Sequence, residues 1–269
     1  MTTAVNAAQN PDLVNSMVAE AMKATEKKPE PVTIMPPSDT VVTLPGGYVN
    51  SDGEVITSVE VRELTGKDEE AIARATSMGK ALLTILSRGV VKVGDDKATD
   101  AMLDSMLSGD RDAILVGIYK ATFGNTSDMQ GVCPGCNEFK DVTINVDEDV
   151  QVRPLANPED RVFTVDCKVG EVKVMLPTGH VQKDLIHNAD KSVSELTTIL
   201  LSNCVREING NPVLGKAQIQ NLGINDRKLI AEAITENNIG PIFKDIKVTC
   251  PDCESEVTVP FNLGNLFRF

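Results

Sequence analysis

Two pairs of cysteines carry the strongest chemical signal in this chain: Cys133-Pro-Gly-Cys136 and Cys250-Pro-Asp-Cys253. In each, two thiols flank a tight turn whose first dihedral is set by proline. One pair cannot close a tetrahedron, but the two together offer the four soft ligands that a structural zinc requires. The only histidines, His180 and His187, both fall late in the chain, with no counterparts near the first pair. They are poorly placed to complete two separate sites. The spacing therefore predicts one zinc ion held by Cys133, Cys136, Cys250 and Cys253. Four thiolates leave no open coordination position, so such a metal is not catalytic. A redox role would ask for a thiol at a helix N-terminus, whereas an alternating, strand-like sequence follows each pair. Cys167 and Cys204 read as small buried apolar residues.

A second recurring step is Asp110-Arg111 and Asp226-Arg227, repeated 116 residues apart. The aspartates stand where helix N-caps are expected, accepting hydrogen bonds from unpaired N–H groups. The arginines would then turn inward to carboxylates or carbonyls, a structural pin in each half. Gly94-Asp95-Asp96-Lys97 lacks the ligand spacing of a calcium loop. There is no phosphate-binding glycine loop, dinucleotide fingerprint, HExxH or nucleophile elbow. With no acid, base and nucleophile assembled, the expectation is that the protein is not an enzyme.

The elements that must position these residues come in two similar sets. Leu86-Ser87-Arg88-Gly89-Val90 matches Leu201-Ser202-Asn203-Cys204-Val205, and Gly53-Glu54-Val55 matches Gly170-Glu171-Val172. Together with the Asp-Arg steps and the cysteine pairs, these landmarks keep one order, at offsets of 115 to 117 residues. A period this long indicates duplication of a domain rather than a solenoid of short repeats. The expected fold class is α+β: two homologous halves of small antiparallel sheets plus helices, each ending in a CPxC knuckle, the knuckles pairing into one zinc ribbon.

In the first half, hairpin signals over 41–61 lead to a helix with Thr65 as N-cap and Glu69 in its first turn. Its apolar spacing continues through Ile72, Met78, Leu82 and Leu86. Further helices are expected over 98–107 and from Ser108 onward. The second half is expected to follow with a hairpin near 161–176 and helices near 190–205, 215–222 and 226–237. The boundaries read as 1–45 for an N-terminal arm, 46–155 for the first repeat and 156–269 for the second. Val14, Met17, Val18, Ala21 and Met22 give the arm a short helix over 12–26, followed by a proline-rich linker. The arm reads either as a disordered tail or as a segment laid on a neighbouring subunit.

At 269 residues and 41% hydrophobic content the chain can bury a substantial core, and with 3% aromatics and no Trp that core must be aliphatic. A net charge of −13 argues against a protein built to grip phosphates, so no nucleic-acid partner is expected. No apolar run reaches the length of a membrane span and no signal-peptide region is evident, which predicts a soluble product without a membrane partner. Phe267, Arg268 and Phe269 close an aromatic-rich tail. It reads either as packing on its own ribbon or as an anchor into a partner subunit, since aromatics and Arg dominate interface hot spots.

Val61-Arg-Glu-Leu-Thr-Gly-Lys-Asp-Glu69, the Gly109-Asp-Arg111 step, the CPxC knuckle and the closing Asn265-Leu-Phe-Arg268 resemble the T-even phage baseplate-protein (baseplate hub) family. The resemblance covers most of 41–269. It implies a non-enzymatic structural component of a bacteriophage tail, part of a multi-subunit assembly. Its partners would be other tail and baseplate proteins, its location the virion tail baseplate, and the host cytoplasm during assembly. Two alternatives remain from other classes: an assembly chaperone absent from the mature virion, and a zinc-ribbon nucleic-acid-associated factor.

Overall fold

Strands β1 (Val41–Val49) and β2 (Val55–Val61) form an antiparallel hairpin, with Val59 and Val61 of β2 facing the core and charged or polar residues alternating outward. The computed structural model of the protein describes residues 40–267. The helix expected over 12–26, the linker after it, Arg268 and Phe269 lie outside the described residues.

After the hairpin, Thr65 caps α1 (Gly66–Ala73). Glu69 lies in its first turn, as expected, and Asp68 is the reciprocal partner in the capping box. The continuous helical spacing predicted from Ile72 to Leu86 is broken in two. Ser77 caps a separate α2 (Met78–Gly89), because Thr76-Ser77 offers a fresh N-cap at the end of the first turns. Strands β3 (Val90–Val93) and β4 (Asp96–Lys97) return to the sheet, then come α3 (Asp100–Ser105) and α4 (Ser108–Phe123). Strands β5 (Thr126–Val132) and β6 (Phe139–Asn145) flank the first cysteine pair. The turn of helix α5 (Val146–Asp149) and strand β7 (Gln151–Arg153) follow.

The chain continues with β8 (Val162–Cys167) and β9 (Gly170–Met175), where a hairpin is expected, and then α6 (Gly179–His187), which sequence periodicity did not reveal. Next come α7 (Val193–Cys204), β10 (Val205–Ile208), β11 (Asn211–Pro212), α8 (Lys216–Gln220) and α9 (Ile224–Asn237). Strand β12 (Gly240–Ile242) pairs with β7. Strands β13 (Ile246–Thr249) and β14 (Glu256–Val259) flank the second cysteine pair, and α10 (Leu263–Leu266) ends the described chain.

Two four-stranded antiparallel sheets result, ordered β1-β2-β3-β4 and β8-β9-β10-β11. Each is a hairpin joined through two helices to a second, shorter hairpin, and each shifts register between its second and third strands. Even a cross-strand ion pair sits at the matching place with its signs exchanged: Lys92 to Glu60 at 2.8 Å, and Lys173 to Glu207 at 3.4 Å. The mixed α+β class is as expected.

Buried apolar side chains gather in two main clusters. One runs from Leu44 to Val150 and also takes in Cys250, Val257, Val259, Phe261, Leu266 and Phe267; the other spans Val172 to Ile234. The last hairpin and α10 thus pack on the earlier part of the chain rather than on their immediate sequence neighbours. Leu107, Leu176 and Ile239 form a small third cluster.

Candidate metal centre

Each cysteine pair sits at the tip of a two-stranded ribbon, and the two tips are folded alike. In the first, Cys133 N–H donates to Glu138 C=O at 2.9 Å and Asn137 N–H to Cys133 C=O at 2.9 Å, with Asn137 in the left-handed region at φ 59°. In the second, Cys250 N–H donates to Ser255 C=O at 2.9 Å and Glu254 N–H to Cys250 C=O at 3.0 Å, with Glu254 at φ 59°. The Pro-x step opens each turn and the left-handed residue closes it, so both thiols of a pair point to the same side.

The ribbons face each other across small residues. A Cβ on Gly131 would come within 2.7 Å of Val259 Cγ2 and 2.8 Å of Val257 Cγ1. One on Gly135 would meet Cys253 Sγ at 2.8 Å. This close approach brings Cys133 Sγ to 3.4 Å from Cys253 Sγ and Cys136 Sγ to 3.9 Å from Cys250 Sγ, with all four sulfurs within 4.8 Å of one another. A tetrahedral ion with metal–sulfur bonds of about 2.3 Å needs sulfurs about 3.8 Å apart. The four residues can therefore hold one metal ion. Cys133 and Cys250 are buried while Cys253 is exposed, so the site lies at the edge of the ribbons.

Without a cation, four thiolates this close cannot all ionise. The Ser255 hydroxyl and backbone N–H beside Cys253 hold its thiol down, to about 6. At Cys136 a backbone hydrogen bond next to Glu138 favours the thiolate, but burial and the neighbouring thiols outweigh it and push the group up to about 11. A bound cation removes this conflict by taking up the negative charge, which is why such sites release protons on binding metal.

Lys140 ties the two tips from outside, with Nζ 2.7 Å from Glu138 of the first and paired with Asp252 of the second. These carboxylates raise its affinity for the proton well above the usual lysine range. A cation here also offsets the negative charge of a four-thiolate centre. Sequence reading missed this residue, because a lone Lys on a strand looks like an ordinary surface charge.

The Asp-Arg steps are positioned differently from the expectation. Asp110 and Asp226 are the third helical residues of α4 and α9, and the N-caps are Leu107 and Gly223. The first amide of α4 needs no side-chain cap, because Ser108 N–H donates to Pro177 C=O at 2.8 Å. The carboxylates reach instead to neighbouring backbone. Asp110 accepts from Gly46 N–H at 2.6 Å, and Asp226 from Lys168 and Val169 N–H at 2.9 and 3.1 Å. Burial raises the Asp110 pKa against the backbone donors and Arg161 that lower it. Arg161, another residue without a sequence signal, donates to Gly46 and Gly47 C=O at 2.6 and 2.7 Å, clamping the irregular stretch of β1.

The guanidiniums turn inward at matching places. Arg111 Nη1 donates to Leu103 C=O at 3.0 Å and to Asp104 Oδ1 at 3.2 Å. Arg227 donates to Ile219 C=O at 3.3 Å, Ser194 C=O at 3.0 Å and Thr198 Oγ1 at 2.7 Å. In both, one partner is the carbonyl eight residues upstream.

Of the two readings of the closing tail, packing on its own chain fits Phe267. It is 1% exposed and packs edge-on against Tyr119 at a ring separation of 5.6 Å, so its ring belongs to this chain's own core. Full burial of a ring this size contributes about 3 kcal/mol. Cys204 is likewise buried, where burial pushes its thiol up to about 12, and Cys167 is half-buried; neither joins the cluster.

An α+β chain with a cluster of four cysteine sulfurs, able to hold one metal ion between two ribbons, is the class that fold and site define. The family described as T4 bacteriophage base plate protein matches residues 39–208, more than half of the chain, and the chain belongs to that family. The match includes Cys133 and Cys136 and ends before Cys250 and Cys253. Membership implies association with other phage baseplate proteins at the virion tail. No curated protein and no solved structure matches the chain. Among the described residues, no helix is long and apolar enough to cross a membrane.

Proposed function

We propose that this chain is a non-enzymatic structural component of a phage tail baseplate or tail hub, in which one zinc ion clasps two duplicated halves, 46–155 and 156–269. The observation that carries the reading is the cluster itself. Its ligands come from ribbons 117 residues apart in sequence, in a chain of the baseplate family. Zinc is the ion that four cysteines in two CPxC turns favour, and it supplies a redox-inert cross-link. Ribbons of four to seven residues per strand are too short to be stable alone, and the ion would hold their tips together. The duplication is supported by the shared strand order, the shared register shifts and the paired Asp-Arg contacts. Strand β1 starts at Val41 and buries Leu44, so residues 41–45 belong to the first sheet rather than to an arm. Arg268 and Phe269, and the arm over residues 1–39, are the segments left as candidate contacts with other tail proteins.

Mass spectrometry of purified particles tests the role. The chain should be found in the mature virion, and its absence would assign it to assembly only, as a chaperone. Native mass spectrometry of the purified chain should find one zinc. Two zincs, or none with all thiols open to alkylation, would sink the shared clasp. Tight, salt-sensitive binding to nucleic acid would favour a zinc-ribbon nucleic-acid factor instead.

A further inference from the structure

The two sets of elements differ at one groove. In the first, the groove between α2 and α4 is covered by α6. Gly179 starts that helix so close to Arg111 that a Cβ there would lie 1.9 Å from Nη1 and 2.7 Å from Leu103 C=O. Gln182 Nε2 donates to Asp112 Oδ1 at 3.2 Å, and Lys183 Nζ to Asp104 Oδ2 at 2.6 Å. The backbones also join, Gly179 N–H donating to Met106 C=O at 2.9 Å and Ser108 N–H to Pro177 C=O.

In the second set the matching groove, between α7 and α9 over Arg227, is open, with a volume of about 500 Å³. Ile224 at its edge is 89% exposed, where the first set has Ser108 at 5%. The counterpart of α6 in the first set is α1. Thr65-Gly66 stands where Thr178-Gly179 does, as N-cap and first helical residue, and Glu69 and Glu70 stand where Gln182 and Lys183 do. Nothing lies within 4 Å of where a Gly66 Cβ would be, and Glu69 and Glu70 are exposed.

We propose that α1 of a second copy of this chain docks in the α7–α9 groove, repeating between molecules the packing of α6 on α2 and α4 within one. The inference rests on the two-half reading above. Charge complementarity selects this occupant. Asp112, which faces Gln182, corresponds to Lys228 on the groove wall, so the pair becomes Glu69 with Lys228, carboxylate against ammonium. Lys228 is at present only loosely engaged, 3.6 Å from Glu232 with its side chain 71% exposed. Arg227 takes the place of Arg111 beside the glycine that starts the docking helix. The contact joins two different surfaces, so each molecule keeps a free groove at one end and a free α1 at the other. Association is head to tail and closes into a ring or continues as a filament.

The test uses the full-length, zinc-loaded protein at low salt. Sedimentation velocity should show mass rising with concentration. Lys228→Glu and Glu69→Lys should each weaken association about tenfold, and a chain carrying both should recover it. Both side chains are exposed, so circular dichroism and zinc content should match the parent. Carbodiimide cross-linking of mixed isotope-labelled and unlabelled chains should join Glu69 of one molecule to Lys228 of another. A monomer at every concentration, association untouched by both reversals, or groove residues cross-linked to residues 1–39 instead would each overturn the proposal. A monomer that keeps its zinc and is found in tails would do so while leaving the proposed function intact.

Discussion

Asp112 lies where α4 meets α6, with Gln182 as hydrogen-bond donor, and burial pushes its carboxyl up to about 6. A carboxyl raised above its unfolded value binds its proton more tightly in the folded state. Its contribution favours folding below about pH 4 and is lost as pH rises through 6. The cost above that range is about 3 kcal/mol for a shift of about two pKa units. Asp112→Asn should therefore melt higher than the parent at pH 7.5, with the gap closing toward pH 4.5; equal melting temperatures at pH 7.5 would refute the assignment. Asp68 behaves oppositely. Hydrogen bonds from Arg62, then from Thr65, hold its carboxyl well below the usual range despite burial, so its stability is present at neutral pH and lost as pH falls below 4. Asp68→Asn should cost about 2 kcal/mol at pH 7 in denaturant unfolding, and less in acid. Among the cysteines, Cys253→Ser should remove a ligand and abolish stoichiometric zinc, whereas Cys204→Ser should leave zinc content unchanged, as inductively coupled plasma analysis of the purified variants can decide.

The ribbons meet through glycine, so the strongest element-level test is to fill that gap. Gly131→Val would drive its side chain into Val257 and Val259, forcing the hairpins apart at a cost of about 1–3 kcal/mol. The expected readout is a lower melting temperature together with weaker zinc retention against a competing chelator; a variant that keeps parental zinc affinity would show that the ribbon contact does not preorganise the sulfurs. These ribbons were legible in sequence because the CPxC turn and the alternation around it are local signals. The caps at Thr65 and Ser77 were also local, although only the first was read, which is why one long helix was expected where two stand. Helix α6 was missed because Gly179 opens it and only Val181, Leu185 and Ile186 supply apolar spacing. The strands β3, β4, β10 and β11 are two to four residues long, below what periodicity can resolve. The four cysteines could be read from their spacing, but Lys140 and Arg161 act through partners far away in sequence, and nothing local marks them.

At the scale of the whole molecule, the place of the four cysteines relative to the two buried clusters would make removal of a bound metal a selective perturbation. Strands β13 and β14 have four residues each; β14 adds Val257 and Val259, and the segment after it adds Phe261 and Phe267, to the cluster that also holds Leu44 to Val150. Packing holds them there, and a metal bound between their tips would add a second fastening, whereas the Val172–Ile234 cluster includes no cysteine of the site. Stability is not uniform across a structure, and short ribbons with few buried residues are the first to open. Chelation should therefore raise amide exchange in 246–267 and in 126–145, while 172–234 keeps its protection. Phe267 should leave Tyr119 as the last hairpin frees itself, increasing exchange at the C-terminal half of α4. Hydrogen-exchange mass spectrometry with and without chelator separates this from two other outcomes. Uniform loss of protection over 40–267 would mean one cooperative unit that the metal stabilises globally. Unchanged exchange at both ribbons would mean that packing alone holds the tips, and that the four thiolates are not a clasp.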